Sequence, residues 1–105
     1  MTTVSDLDRE TLAAGLADGS LVLVDVREPH EFAAGHIPGS VSLPLSSFDP
    51  GDLAPYEGRR IVFSCAAGVR SVQALMLSQA AGLDLSEHYR GGFKDWILSG
   101  GPVEG

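Results

Sequence analysis

The sequence predicts a mixed α/β domain with a mostly parallel central sheet and helices on both of its faces. Two observations predict this class. Short, apolar, β-rich runs alternate along the chain with helical patterns, and two of those runs are aliphatic along most of their length. A strand that is apolar on both sides must be covered on both sides, as in a parallel sheet. Alternation of strands and helices implies the same layered arrangement, in which ligands collect at the carboxyl ends of the strands.

The first two elements are a helix and a buried strand. Residues 5–8 match the [ST]-x-x-[DE] start of a helix, and Leu12 and Leu16 fall one turn apart beyond it. Gly19 is the residue type that ends many helices. Residues 21–26 are aliphatic except for Asp25, which predicts a strand covered on both faces.

The next elements are short. Pro29 fits the first turn of a helix over residues 29–34, which Gly35 ends. Residues 41–43 are predicted as a short strand. Residues 46–57 are predicted as an irregular connection, because proline and glycine recur through it.

The carboxyl-terminal half repeats the alternation of strand and helix. Residues 60–65 are predicted as a second buried strand, and residues 69–81 as a helix closed by Gly82. The apolar side chains of that helix wrap most of its circumference, as expected for packing on a sheet and its neighbours. A last strand is predicted at 85–89 and a last helix at 93–98.

Length and charge limit the possible partners. The 105 residues are the size of one domain, which we assign to residues 1–105 with residues 100–105 as a loose tail. Fourteen acidic residues stand against seven basic ones, which gives a net charge of −7. Such a charge repels phosphate backbones and anionic lipid surfaces, so neither nucleic acid nor membrane is an expected partner.

The cysteine count and the amino terminus exclude other classes. One cysteine can form no intrachain disulfide and no cysteine-rich metal site. His30 and His88 show no ligand spacing with each other or with Cys65, so we expect no metal. The amino terminus lacks the pattern of a signal peptide, and the longest aliphatic run is far too short to span a bilayer. These features predict a cytoplasmic protein.

The segment from Cys65 to Ser71 carries the chemistry. It joins a buried strand to the amino terminus of a helix, where backbone N–H groups and the helix dipole attract negative charge. A thiol at the head of such a loop should have a lowered pKa and act as a nucleophile. Gly68 permits the tight backbone curl, and Arg70 adds a cation that can hold an oxyanion.

A simpler interpretation of Cys65 has to be weighed against this one. Most lone cysteines at the end of a strand are small buried hydrophobic residues. Gly68 and Arg70 at these offsets, on a strand–loop–helix, favour the nucleophile. A cation at Arg70 opposes the helix dipole, so we expect it to have a compensating partner such as a bound anion or the thiolate.

Three motifs in order resemble the rhodanese-like domains, over nearly the whole chain. Residues 25–39, which read DVREPHEFAAGHIPG, resemble the upstream signature of that family. Residues 65–71, CAAGVRS, resemble its active-site loop, and residues 91–96, GGFKDW, its carboxyl-terminal signature. The resemblance implies a single-domain sulfurtransferase with the three-layer rhodanese-like fold and a sheet of about five strands.

The resemblance also implies a ping-pong reaction. The Cys65 thiolate attacks the outer sulfur of thiosulfate or another persulfide-type donor and keeps that sulfur as a persulfide. Cyanide or a thiol, which can be a protein thiol, then accepts the sulfur. Cys65 and Arg70 are the implied catalytic residues, and no cofactor or metal is implied. The implied substrate-binding residues are Ala66, Ala67, Gly68, Val69 and Arg70.

The loop distinguishes between branches of the superfamily. Cys65 to Arg70 is Cys-x4-Arg, one residue shorter than the Cys-x5-Arg loop of cysteine-based phosphatases. A tighter ring suits one sulfur atom better than a tetrahedral phosphate, so a phosphatase is disfavoured. Many thiosulfate-active relatives carry polar or basic residues where this loop has Ala66 and Ala67. On a chain of net charge −7, this predicts modest turnover of thiosulfate and favours a persulfide or protein donor.

Alternatives remain open at neighbouring residues and for the function. Asp25 and Arg27 can shape the site or anchor the following loop, and we favour anchoring; Glu31 can pair with Arg27. His36 can form a dyad with Cys65, but its turn-rich surroundings favour an ordered loop histidine. The alternative function is a non-enzymatic one, either a sulfur relay docking to a protein or a rhodanese module that binds a protein.

Overall fold

The computed structural model describes residues 3–105, and the first two residues of the predicted domain lie outside the described residues. A single five-stranded sheet in the order β1-β5-β4-β2-β3 organises the fold, and every neighbouring pair of strands is parallel. The predicted α/β class with a parallel sheet is therefore confirmed. The strands are β1 Ser5–Leu7, β2 Leu21–Asp25, β3 Val41–Ser42, β4 Arg60–Ser64 and β5 Glu87–Tyr89. The helices are α1 Arg9–Asp18, α2 Pro29–Ala34, α3 Arg70–Ala80 and α4 Gly92–Leu98.

The two faces of the sheet bury separate apolar clusters. On β2, Val22 and Val24 belong to one cluster and Leu21 and Leu23 to the other, as the alternation of side chains along a strand requires. Helix α3 packs into the first cluster, whereas α1 and α4 contribute Leu12 and Trp96 to the second. The aliphatic run that predicts a doubly covered strand is explained by these two layers.

The amino terminus differs from the prediction. The sequence pattern of residues 5–8 predicts the start of a helix, but residues 5–7 form β1, which pairs with β5. The helix begins one residue after Asp8, whose Oδ1 accepts a hydrogen bond from the Thr11 N–H at 2.7 Å. Asp8 is thus the N-cap, and the serine that suggests a cap lies three positions upstream of it. Pairing with a distant strand decides the structure of this segment.

Residues 100–105 are held against the domain instead of forming the expected loose tail. The Trp96 Nε1–H donates to the Pro102 carbonyl at 2.7 Å. Glu104 and His36 exchange two backbone hydrogen bonds in an antiparallel bridge, with N–O distances of 2.7 and 2.9 Å. The connection at 46–57 contains two 3₁₀ turns, Leu45–Ser47 and Pro50–Tyr56.

None of the helices between residues 3 and 105 is both long and apolar enough to cross a bilayer.

Candidate active site

Cys65 stands at the carboxyl end of a central strand, where the topology of the sheet predicts a site. It follows Ser64, the last residue of β4, and precedes the loop that leads into α3. The side chain is 1% exposed, so the thiol is recessed below the loop.

The loop from Cys65 to Arg70 curls around the sulfur. Gly68 has φ +84°, and its N–H donates to Cys65 Sγ at 3.1 Å. A Cβ added at Gly68 would lie 2.5 Å from the Arg90 carbonyl oxygen. The glycine is therefore required twice, by its left-handed backbone and by the close approach of a second chain segment.

The segment that opens α4 supports the loop from outside. Phe93 N–H donates to the Cys65 carbonyl at 2.8 Å, and Lys94 N–H donates to the Ala66 carbonyl at 3.1 Å. A Cβ at Gly92 would lie 2.5 Å from each of those two carbonyl oxygens. The absence of a side chain at Gly92 thus lets the backbone pass close to the loop.

Hydrogen bonds activate the thiol against the effect of its burial. Burial alone would raise the pKa of Cys65, because the interior disfavours the thiolate. The Ser71 hydroxyl and backbone N–H, together with the N–H groups of Ala67 and Gly68, favour the thiolate more strongly. The net result is a Cys65 pKa below its ordinary value. A lowered pKa favours the nucleophile interpretation of Cys65 over that of a buried hydrophobic residue.

The residues of the loop make different contacts. Ala67 and Gly68 turn their N–H groups to the sulfur, whereas Ala66 uses its carbonyl to bind α4. The Val69 side chain is exposed at the rim. Arg70 is the first residue of α3 and reaches away toward α2.

Arg70 has a carboxylate partner. Its guanidinium donates from Nη1 and Nη2 to the two carboxylate oxygens of Glu31 on α2. This ion pair lowers the pKa of Glu31 to about 2 and raises that of Arg70. Glu31 was expected to pair with Arg27, but it pairs with Arg70. The partner that compensates the Arg70 cation was expected to be a bound anion or the thiolate, but it is the Glu31 side chain. The thiolate contributes to the rise in the Arg70 pKa as a smaller, coulombic effect.

Asp25 and Arg27 form a buried ion pair. Arg27 Nε and Nη2 donate to the Asp25 carboxylate at 2.8–3.1 Å, and Nη2 also donates to the Gly35 carbonyl at 2.8 Å. The guanidinium lies over the ring of Phe93, 4.1 Å from its centroid. These contacts tie β2 to the end of α2 and to α4, and they support the anchoring interpretation.

His36 is an ordered loop residue. Its ring stacks on Phe32 with centroids 3.8 Å apart, and Nδ1 lies 2.9 Å from the Phe32 carbonyl oxygen. Its Nε2 lies 4.0 Å from Glu104 Oε2. The contacts of this ring support the structural interpretation over a dyad with Cys65.

Two residues close to the thiol are not predicted by the sequence. The Ser71 hydroxyl lies 3.6 Å from Cys65 Sγ and 2.8 Å from Nδ1 of His88. Nε2 of His88 lies 2.8 Å from Asp6 Oδ1. The signal in the sequence is His88, a titratable residue within the short strand predicted at 85–89. A search for metal-ligand spacing does not reveal a role of this kind.

A cleft of about 700 Å³ opens beside the loop at Ala67. Its walls carry both signs of charge. The charged residues that line it are Asp6, Asp8, Glu10, Asp95, Arg9 and Arg90. Among residues 3–105, no three His, Cys, Asp or Glu side chains are arranged to hold a metal ion.

Comparisons with known proteins agree with this geometry. The family model described as Rhodanese-like domain matches residues 8–99. A sulfurtransferase from Allochromatium vinosum is 34% identical over 95% of this chain and 94% of its own length. A thiosulfate:glutathione sulfurtransferase from Saccharomyces cerevisiae is 34% identical over 83% of this chain and 72% of its own length.

A solved structure, the human single-domain sulfurtransferase TSTD1, superposes with a TM-score of 0.71 and 30% identity, over 89% of this chain and 95% of that one. The chain spans about half the length of some other curated relatives that it matches, 47% and 58% in two cases.

Proposed function

The chain belongs to the rhodanese-like domain family, and from that premise we propose that it is a sulfurtransferase that carries sulfane sulfur as a persulfide on Cys65. One observation carries the proposal. The recessed thiol has a lowered pKa because the Gly68 N–H, its neighbours and Ser71 converge on the sulfur. A ring of donors around a single sulfur atom favours the thiolate, and it would equally favour the outer sulfur of a persulfide.

The first half-reaction loads the sulfur. The Cys65 thiolate attacks the outer sulfur of a donor such as thiosulfate, and a new S–S bond forms at Sγ. The S–S bond of the donor breaks, and sulfite leaves with the electron pair. A disulfide bond is about 2 Å long, so the transferred sulfur lies that far from Sγ.

The second half-reaction unloads it. A thiolate or cyanide attacks the outer sulfur, and the Sγ–S bond breaks with its electron pair returning to Cys65. The cleft beside Ala67 offers an approach for the acceptor, since it borders the loop and carries both acidic and basic side chains. The named activity of the yeast relative, between thiosulfate and glutathione, is of this type.

The donor need not be a small anion. The Arg70 guanidinium is held by Glu31, and the chain carries a net charge of −7, so a thiosulfate dianion meets an unfavourable field. These observations favour a persulfide or protein donor, and with a protein donor the domain acts as a sulfur relay. Such a relay uses the same persulfide on Cys65, and it requires a protein partner for turnover.

Intact mass spectrometry tests the proposal. The reduced protein is incubated with excess thiosulfate, and separately with a small-molecule persulfide such as glutathione persulfide. We expect the mass of one added sulfur, lost on treatment with cyanide and absent from the Cys65→Ser variant, whose folding is checked by circular dichroism. An adduct that survives in Cys65→Ser would disprove the assigned nucleophile.

The two donors separate the remaining possibilities. Loading by both donors, with turnover when a small thiol is added, supports the enzyme. Loading without turnover when only a small thiol is added assigns the relay, which requires a protein partner. A folded protein with a free thiol that neither donor loads would contradict sulfur transfer and leave a binding module.

A further inference from the structure

Four side chains form a hydrogen-bonded line from the thiol to the protein surface. Cys65 Sγ lies 3.6 Å from Ser71 Oγ, and Ser71 Oγ lies 2.8 Å from His88 Nδ1. His88 Nε2 lies 2.8 Å from Asp6 Oδ1. The contacts join the loop after β4, helix α3 and strands β5 and β1, so residues distant in sequence meet in one line.

The first three side chains of the line are buried, and the last one is exposed to solvent. Cys65, Ser71 and His88 are exposed by only 1%, 0% and 2%, whereas about half of the Asp6 side chain is exposed. A buried ring with both nitrogens bonded to polar partners is well satisfied, which would suffice for a structural histidine. The two partners of His88 go beyond this, because Asp6 is an acid at the surface and Ser71 contacts the proposed nucleophile.

The charged groups around His88 are few. Strand β1 presents Asp6, the partner of His88 in the strand register, and Arg90 Nη1 lies 3.3 Å from Asp6 Oδ2. Helix α3 presents the Ser71 hydroxyl, and its charged residue near the site, Arg70, is engaged by Glu31. Strand β4 presents Phe63 at the paired position and is followed by Cys65. The thiol and the Asp6 carboxylate are thus the two titratable groups in line with the ring.

The carboxylate of Asp6 determines how the line is polarised. An ionised carboxylate only accepts hydrogen bonds, so Nε2 of His88 carries a hydrogen and donates a hydrogen bond to Asp6. In the neutral ring, Nδ1 is then an acceptor for the Ser71 hydroxyl, and Ser71 Oγ accepts the S–H of Cys65. In the protonated ring, Nδ1–H donates to Ser71 Oγ, and the hydroxyl turns its own proton to the thiolate.

We propose that Cys65, Ser71, His88 and Asp6 form a proton relay, in which Ser71 passes the thiol proton to His88 and Asp6 fixes the tautomer that can accept it. This inference rests on the proposed sulfurtransferase function, because that reaction needs the thiolate once in each half-cycle. Ser71 contacts the reacting sulfur, and His88 and Asp6 are positioning residues that act through it.

The relay balances both half-reactions. On loading, the S–H proton moves to Ser71 Oγ as the Ser71 proton moves to His88 Nδ1, and the thiolate forms its bond to the outer sulfur of the donor. On unloading, the electron pair of the broken Sγ–S bond returns to Cys65. The sulfur is then either held as the thiolate or reprotonated by His88 through the same hydroxyl.

The pH dependence of alkylation by iodoacetamide tests the relay. The alkylation rate follows the thiolate and requires no sulfur donor. We expect the midpoint of the rate profile to move upward by roughly one pH unit in Ser71→Ala, which removes a hydrogen bond to the thiolate. We expect a similar upward shift in His88→Asn, which removes the group that takes the thiol proton. Asn keeps an oxygen that can accept from Ser71, but it cannot take a proton. Asp6→Asn should give a smaller upward shift.

Matched controls separate the relay from a loss of packing. Ser78→Ala removes another fully buried hydroxyl from the same helix, one that donates to the Ala74 carbonyl. Asp52→Asn removes an exposed carboxylate from the 3₁₀ turn Pro50–Tyr56, which lies outside the line. Both controls should keep the midpoint of the unmodified protein.

Each outcome decides the matter. Unchanged midpoints in folded Ser71→Ala and His88→Asn would overturn the relay, and a shift in Ser71→Ala alone would reduce it to one hydroxyl. If His88→Asn does not fold, the exposed Asp6→Asn substitution decides in its place. An unchanged midpoint in Asp6→Asn would then contradict the relay. Shifted midpoints in a protein that no donor loads would uphold the relay and overturn the proposed activity.

Discussion

The guanidinium of Arg70 lies edge to edge with the carboxylate of Glu31, with Nη1–Oε1 at 2.6 Å and Nη2–Oε2 at 3.0 Å. In the proposed reaction Arg70 is the cation that holds an anionic sulfur donor, but two of its N–H groups already face the Glu31 carboxylate. The pair is partly exposed, with 30% and 27% of the two side chains accessible, so it can exchange partners with a ligand. In the proposed reaction, an anionic sulfur donor has to compete with Glu31 for the Arg70 guanidinium.

Removal of that competition should favour thiosulfate. We expect Glu31→Gln to raise kcat/KM for thiosulfate by about fivefold, because the competing ion pair is partly exposed and worth about 1 kcal/mol. The amide keeps an oxygen for the Glu28 N–H, which Oε1 now accepts at 3.0 Å, so α2 should retain its amino-terminal bond. Steady-state kinetics at low and high salt measure the effect, which should shrink as salt screens the charges.

Glu87 provides the matched control for this prediction. It forms the same fork-to-fork pair with Arg60, at 2.7 and 2.8 Å, and Arg60 begins β4 at the end of the strand opposite to Cys65. Glu87→Gln makes the same change of net charge and should leave kcat/KM nearly unchanged. Equal gains in both variants would mean that overall charge, and not release of Arg70, limits the approach of thiosulfate.

The same pair should make stability depend on pH in acid. The folded-state pKa of Glu31 is about 2, mainly through its hydrogen bonds from Arg70, against an ordinary value of 4.5. A depressed pKa stabilises the fold above the unfolded-state value, and the contribution is lost as the pH falls from 4.5 toward 2. After allowance for solvent screening, we expect about 1 kcal/mol from this pair.

Urea titrations across that pH range provide the measurement. The free energy of unfolding should fall less steeply toward low pH in Glu31→Gln than in the unmodified protein. Parallel slopes would show that Glu31 titrates normally and that the ion pair is weak.

Much of the fold and the reactive loop could be predicted from local sequence. The aliphatic run at 21–26 responds to burial on two sides, so its pattern specifies a sheet between layers of helices. The prediction for α3 is wrong in one respect, since the helix packs on the sheet with one side only and leaves Met76 and Leu77 52% and 46% exposed. Gly68 could be predicted because few other residues accept its backbone conformation. Cys65 could be placed because it ends a buried strand before a helix.

The remaining features depend on contacts between distant residues. Strand β1 has three residues and is defined by its pairing to β5, about eighty positions away, so a local cap pattern misplaces it. Nothing in the sequence directs Glu31 to Arg70 in preference to Arg27, because that choice depends on how α2 and α3 meet. His88 reaches Ser71 through the packing of α3 on the sheet.

Gly68 should tolerate a side chain less well than a glycine that has only a left-handed backbone. In Gly68→Ala the new Cβ would lie 2.5 Å from the Arg90 carbonyl oxygen, so the loop or the end of β5 must shift. We expect a loss of about 2–4 kcal/mol in the free energy of unfolding, from strain and overpacking together. Chemical denaturation measures it.

Gly82 isolates the backbone component of that loss. Its φ is +87°, almost that of Gly68, and a Cβ added there would have nothing within 4 Å. Gly82→Ala should therefore cost only about 1 kcal/mol. Equal losses at the two sites would contradict the close approach between the loop and Arg90.

Asp25 should be required for stability and dispensable for chemistry. Both members of its pair with Arg27 are buried, with 5% and 4% of their side chains accessible, and Asp25 also accepts the Arg27 backbone N–H at 2.9 Å. Asp25→Asn keeps an acceptor for that N–H but leaves the guanidinium charge buried without its counter-ion, which costs about 3 kcal/mol. Loss of the more exposed Glu87–Arg60 pair should cost less than about 1 kcal/mol in the same denaturation experiment.

The chemistry of Asp25→Asn separates its two possible roles. The folded fraction of the variant should still load sulfur on Cys65 in full, as judged by intact mass, because the Asp25 carboxylate is occupied by Arg27 and anchors β2 to the end of α2. A variant with normal stability and a deficient persulfide would instead place Asp25 in the reaction.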